Sequence, residues 1–233
     1  MKRKGKRILW YTLGVVVFCA LIIFCYELFF KVEPIKLVKN NVSEKGECFF
    51  VDATNDNVNL KVSSGTRENP YNLDGVHNEM KPFTLLIFKT SFNGITEPSF
   101  TAKIDGTEYQ GILELNPCDG TFVTDLGILL NDNSDIAVTV NVKDMEFTFT
   151  PTNLNSKWGL SFDEALDVGL ENMKGIVESL IENGKFSGEC YVKVISDPNG
   201  VLNIYYYYIG IVDLSGNMYS IVLDTADGKV LSK

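Results

Sequence analysis

The sequence predicts an N-terminal transmembrane helix, an all-β sandwich of immunoglobulin-like size, and then a small α+β domain with one helix on an antiparallel sheet. Three observations carry this reading. A long charge-free run follows a cationic N-terminus, short β-branched and aromatic runs recur from Cys48 to Thr152, and a capping box opens an amphipathic segment at Ser161.

Residues 1–7, MKRKGKR, carry five positive charges and form the expected cytoplasmic tail. From Ile8 to Tyr26 there are 19 residues without a charge, and counting through Phe30 gives 23. As a helix that is about 34 Å, enough for a hydrocarbon core of about 30 Å. Only a helix satisfies its own backbone there, so residues 8–30 are expected to span, with Glu27 near the far interface. The run exceeds a signal-peptide core of roughly 7–15 residues, and no small-x-small cleavage pattern follows. Phe18 before Cys19 and Phe24 before Cys25 do not suit lipoprotein processing. The expected location is the cell membrane, single-pass, with the N-terminus cytoplasmic and residues 31–233 extracytoplasmic.

The whole chain is −9 while residues 1–7 are +5, so the remainder sums to −14. An acidic remainder argues against nucleic acid or an anionic lipid surface as partner. Cys19 and Cys25 fall in the apolar run, leaving Cys48, Cys118 and Cys190 outside it. Three thiols allow at most one internal disulfide, for which Cys48 and Cys118 are candidates, and no C-x-x-C supports structural zinc.

Residues 31–47 are polar, interrupted by Pro34, and read as a stalk. Residues 48–152 hold six or seven short strands separated by Asn, Asp, Gly and Pro. Asp105-Gly106 and Lys143-Asp144 are hairpin turns, and Ile136, Val138, Val140 and Val142 alternate as on a half-buried strand. Residues 158–233 form the α+β domain. Ser161 and Glu164 box the start of a helix. Phe162, Leu166, Leu170, Met173, Val177, Leu180 and Ile181 give it an apolar face of about five turns, ending at Asn183-Gly184. Strands follow, turning at Pro198-Asn199-Gly200, Ser215-Gly216-Asn217 and Asp227-Gly228.

Ser161, Phe162, Glu164, Ala165 and Leu166 at the helix start, with Tyr219, Ile221, Leu223, Asp224, Gly228, Lys229, Val230 and Leu231 at the end, resemble the PepSY-like family. The resemblance covers the last 73 residues. It implies a small extracytoplasmic α+β module of a bacterial surface protein that binds peptides or restrains peptidases, and no catalytic residues.

Chemistry is sparse. His77 is the one histidine, with Asp74 and Glu79 as candidate co-ligands, yet a lone histidine in a polar loop is ordinarily solvated. Neither G-x-S-x-G nor a phosphate-cradling glycine loop occurs. The Asx-rich runs Asp52–Asn57 and Asn131–Asp135 lack the EF-hand order and read as turns, so no metal or cofactor is expected. In IYYYYIG, Tyr205 and Tyr207 face one side of a strand while Tyr206 and Tyr208 face the other. One pair packs under the helix. The other, taken as Tyr206 and Tyr208, offers a flat platform to a partner. The expected function is therefore non-enzymatic binding of a protein or peptide by a membrane-anchored protein. The alternatives are a surface enzyme using an outer cysteine or His77, and a structural subunit of a membrane assembly.

Overall fold

The computed structural model describes residues 16–22, 33–55, 57–70, 72–197 and 203–232. Of the expected span 8–30, only 16–22 are among them, as an exposed helical stretch; the remainder lies outside the described residues, as does the expected turn at 198–200. No helix among the described residues is long and apolar enough to cross a membrane. That corrects the transmembrane element of the expected fold class and the membrane-anchor character drawn from it.

Pro34 occupies the first helical position of α1 (Pro34–Lys39), where its missing N–H costs nothing. Then come β1 (Val42–Asn55), β2 (Val58–Glu68), β3 (Met80–Thr90), β4 (Ser99–Ile104) and β5 (Thr107–Ile112). The short β6 (Glu114–Leu115) and β7 (Phe122–Asp125) precede β8 (Ile136–Val142), β9 (Met145–Phe149) and β10 (Thr152–Asn153). Helices α2 (Phe162–Asn172) and α3 (Lys174–Ser179) lead to the small hairpin β11 (Ile181–Glu182) and β12 (Lys185–Phe186). The chain closes with β13 (Gly188–Ser196), β14 (Tyr205–Asp213), β15 (Met218–Asp224) and β16 (Val230–Ser232).

A second correction concerns the division of the chain. One ten-stranded sheet runs in the order β16-β15-β14-β13-β1-β2-β3-β7-β6, with β10 beside β1. It crosses the boundary that the sequence suggests at residues 152–158. The crossing is made by β1, which pairs antiparallel with β2 along one edge. On its other edge, Val42, Glu44 and Lys45 pair in parallel with Cys190, Tyr191 and Val192 of β13, and Phe50 and Val51 pair with β10. The expected stalk is therefore partly a helix and partly the start of a central strand. Val38 and Val42 are buried in the same core as α2. The cause is apolar: IKLV presents valine and leucine to a helix that needs a partner surface.

Two cores result. A four-stranded sheet, β5-β4-β8-β9, packs its apolar face on the β1–β2–β3–β7 half, with Phe50, Leu60, Leu86, Phe88, Val138 and Val140 at the centre. Helices α2 and α3 cover the β13–β14–β15 half over Cys190, Val192, Tyr207, Ile209 and Ile221. A small cluster of Phe49, Val51 and Tyr205 lies between them.

The expected five-turn helix is two. The capping box forms: Ser161 Oγ accepts from Glu164 N, and Glu164 Oε2 accepts from Ser161 N at 2.8 Å. Asn172 then donates its side-chain amide to the Val168 carbonyl, competing with the helical ladder, and α2 ends. Asn183-Gly184 is not a helix cap. With φ of 51° and 73° it is the two-residue turn of the β11–β12 hairpin.

Since β1 belongs to both halves, they should lose structure together. Leu86→Ala removes a wholly buried side chain and should cost about 2–5 kcal/mol. Urea unfolding followed by tryptophan fluorescence and by far-ultraviolet circular dichroism should show one shared, lowered midpoint. Two separated transitions would show that the cores fold apart.

Candidate functional site

Strand β14 alternates as its sequence requires. Tyr207 is wholly buried beneath α2 and donates its hydroxyl to the Leu160 carbonyl at 2.6 Å. Tyr205 meets Phe49 edge-on at 5.2 Å. Tyr206 and Tyr208 are half-buried and point to the side of the sheet away from α2.

The register around them brings in residues that the tyrosine run alone does not reveal. Gly210 pairs with Tyr191 of β13, and a Cβ at Gly210 would stand 2.3 Å from the Tyr191 ring. Glycine there lets the ring lie flat across β14. Tyr191 stacks on Tyr208 with centroids 6.0 Å apart and planes 16° from parallel. The Lys193 ammonium sits 4.9 Å from the Tyr191 centroid, within cation–π range. Tyr208 donates to Met218 Sδ at 3.4 Å, and Met218 is itself exposed. Tyr206 donates to Asp197 Oδ1 at 3.3 Å. Burial, and after it the Asp197 and Asp224 charges, push the Tyr206 hydroxyl up, so it stays a neutral donor. The result is a continuous aromatic face with a sulfur and a cation at its margins. The only sequence signal for Tyr191 and Lys193 was their alternation in ECYVKVIS; what they lie beside depends on register.

His77 does not gather Asp74 and Glu79. Its Nδ1 lies 2.7 Å from Glu68 Oε1, on a nearly buried carboxylate of β2. Asp74 Oδ1 instead accepts from Val76 N within its own loop. Among the described residues no group of three His, Cys, Asp or Glu side chains is placed to hold a metal ion. The Asx-rich run at 131–135 forms a turn, Asn131 Oδ1 accepting from Asn133 N. Asp52 accepts from Thr150 N at 2.8 Å.

Cys48 and Cys118 are both free, so the candidate disulfide is not formed, and Cys190 is free as well. Burial pushes the Cys48 thiol up to about 12, with the Asp132 charge adding to it. Burial does the same to Cys190, also to about 12, helped by Glu189. Neither is a thiolate near neutrality, the form a nucleophile needs. Cys118 is exposed in a turn where its N–H donates to Asn116 Oδ1.

A cleft of about 440 Å³ opens where β1 meets the start of α2, lined by Lys45, Glu47, Asp132, Asn155, Trp158 and Phe162 among others. Its charges are largely engaged. Lys45 pairs with Asp163 at 3.1 Å, Glu164 is the capping carboxylate, and Asp132 accepts from Asn153.

Comparison with protein-family models, with curated proteins and with solved structures found no match. The expected PepSY-like relationship finds no support there.

Thiol labelling tests this chemistry. Iodoacetamide near pH 8 should modify Cys118 rapidly and leave Cys48 and Cys190 unmodified until the chain is denatured, as read by peptide mass mapping. Fast labelling of either buried thiol in the folded chain would restore a cysteine nucleophile.

Proposed function

We propose that this chain is a non-enzymatic binding protein whose docking surface for a protein or peptide is the aromatic face around Tyr206 and Tyr208. The observation that carries the reading is the stacked Tyr191–Tyr208 pair laid across Gly210. Rings held by a neighbouring strand lose little freedom on binding, and tyrosine combines apolar area with a polar tip. Exposed Met218 adds an adaptable apolar contact and Lys193 a charge at the rim. Two facts favour binding over catalysis: the buried thiols are held protonated, and His77 is engaged with Glu68. Extracytoplasmic placement is part of the same proposal and rests on the sequence alone, on the five cationic residues ahead of the charge-free run from Ile8 to Tyr26. Protease added to intact cells should then cut within residues 33–233, and full protection would overturn that placement.

The test of docking uses a partner recovered by co-purification in mild detergent and then purified. Replacing Tyr206 and Tyr208 together by alanine should weaken its affinity at least about tenfold, as for central aromatic anchors. The circular dichroism spectrum should not change, because both residues face away from the buried cores. Equal affinity of wild type and double variant would remove this face from consideration.

A further inference from the structure

The segment 72–79 joins β2 to β3 and lies against the sheet beside β13, held there by two carboxylates. Glu189 of β13 accepts from the Gly75 backbone N–H through Oε1 at 3.3 Å and contacts the Ser43 hydroxyl through Oε2. Glu68, the last residue of β2, meets His77 Nδ1 through Oε1. Both carboxylates are almost entirely inside the protein, with 3% and 2% of their residue surface exposed for Glu68 and Glu189. Glu68 Oε2 is buried without a hydrogen-bond partner.

The charges that act on Glu189 are of one sign. The charged groups acting on Glu189 are Glu68 from β2 and Asp74 from the segment, both negative; β1 contributes only the Ser43 hydroxyl. Burial beside other carboxylates makes ionisation of Glu189 costly. His77 is the only histidine, and histidine is the side chain that changes charge between about pH 5 and 8.

We propose that segment 72–79 is a pH-sensitive latch: proton uptake by the His77–Glu68–Glu189 cluster fastens it to the sheet, and proton loss loosens it. A proton on His77 makes its contact with Glu68 a full ion pair. A proton on Glu189 Oε2 is donated to the Ser43 hydroxyl, while Oε1 still accepts from Gly75. Burial pushes the Glu189 carboxyl up; the Ser43 and Gly75 hydrogen bonds oppose that, the Glu68 and Asp74 charges add to it, and the net direction is up. A group raised in the folded state favours that state at low pH, and the contribution is lost as pH rises through the raised value. Glu189 therefore favours the fastened segment in mild acid, and the His77–Glu68 contact is a full ion pair only with a proton on the imidazole.

The latch lies next to the aromatic face. Gly75 packs against Leu214 in the turn between β14 and β15, and β15 opens with Met218, the residue that accepts the Tyr208 hydroxyl. Loosening the segment would expose more of β13 beyond Tyr191. This link to docking rests on the reading of the aromatic face given above; the latch does not.

The test is amide hydrogen exchange at Gly75 in the full chain, at about pH 5.5 and about pH 8, with intrinsic rates divided out. Protection should fall about tenfold or more on going to the higher pH, the size of one unit of proton coupling. His77→Gln should shrink that fall. His77→Gln with Glu189→Gln should nearly abolish it and leave Gly75 protected at the higher pH, because glutamine mimics the protonated carboxyl. Equal protection of the wild-type chain at the two pH values would overturn the latch. So would a wild-type fall in the His77→Gln variant, which alters a partly exposed side chain and serves even if the double variant fails to fold. No partner enters this measurement, so a failure of the docking experiment and a failure of the latch remain separate results.

Discussion

The structure depends on one strand pairing along both of its edges. β1 is antiparallel to β2 on one side and, on the other, parallel to β13 and then antiparallel to β10. Its side chains enter every core: Val42 beneath α2, Cys48 and Phe50 between the two sheets, and Phe49 and Val51 in the cluster between. Such a strand cannot serve one half only. Removing it would leave the β13 edge unpaired and strip the sandwich of a central wall. The register shifts by a residue between Gly46 and Cys48. That shift lets a strand serve both halves while the side chains on either side of it meet different cores.

Covering one face of the β13–β15 region with α2 and α3 leaves the other face to be managed. At one end it is managed by segment 72–79, which reaches over Glu189. Farther along it is managed by tyrosines that cover one another: Tyr191 lies across Gly210, and Tyr208 stacks on it. The face is thus ordered by its own ring contacts. The same arrangement places two carboxylates where water does not reach Glu68 Oε2, an expense the fold offsets through His77, Ser43 and the Gly75 amide.

Much of the local structure was legible. Asp105-Gly106 carries the positive φ values its hairpin needs, and Ser161 with Glu164 forms the box their spacing implies. β8 buries every second residue from Ile136 to Val142. The misreadings share a cause. Pro34 and a polar composition suggested a stalk, because nothing within a few residues shows that Val42 pairs with Cys190. Asn183-Gly184 suggested a helix cap because the same dipeptide suits a hairpin, and here Ile181 and Glu182 pair with Phe186 and Lys185 across it. At the site, the tyrosine alternation was visible while its neighbours were not. Tyr191 and Lys193 reach the platform through strand register, and Glu68 reaches His77 through the return of β3 beside β2.

By itself the sequence determined most of the strands, the turns at Asp105-Gly106 and Lys143-Asp144, the helix start, the acidic balance and which tyrosines share a side, because each of these follows from contacts within a few residues or from composition. Only the tertiary structure decided that one sheet unites the chain, that Glu68 and Glu189 are buried near each other, and that Tyr191 completes the aromatic face. Those outcomes require β1 to meet β13 across most of the chain's length. A pairing of that kind is selected by the total apolar surface it buries and leaves no local signature in either strand.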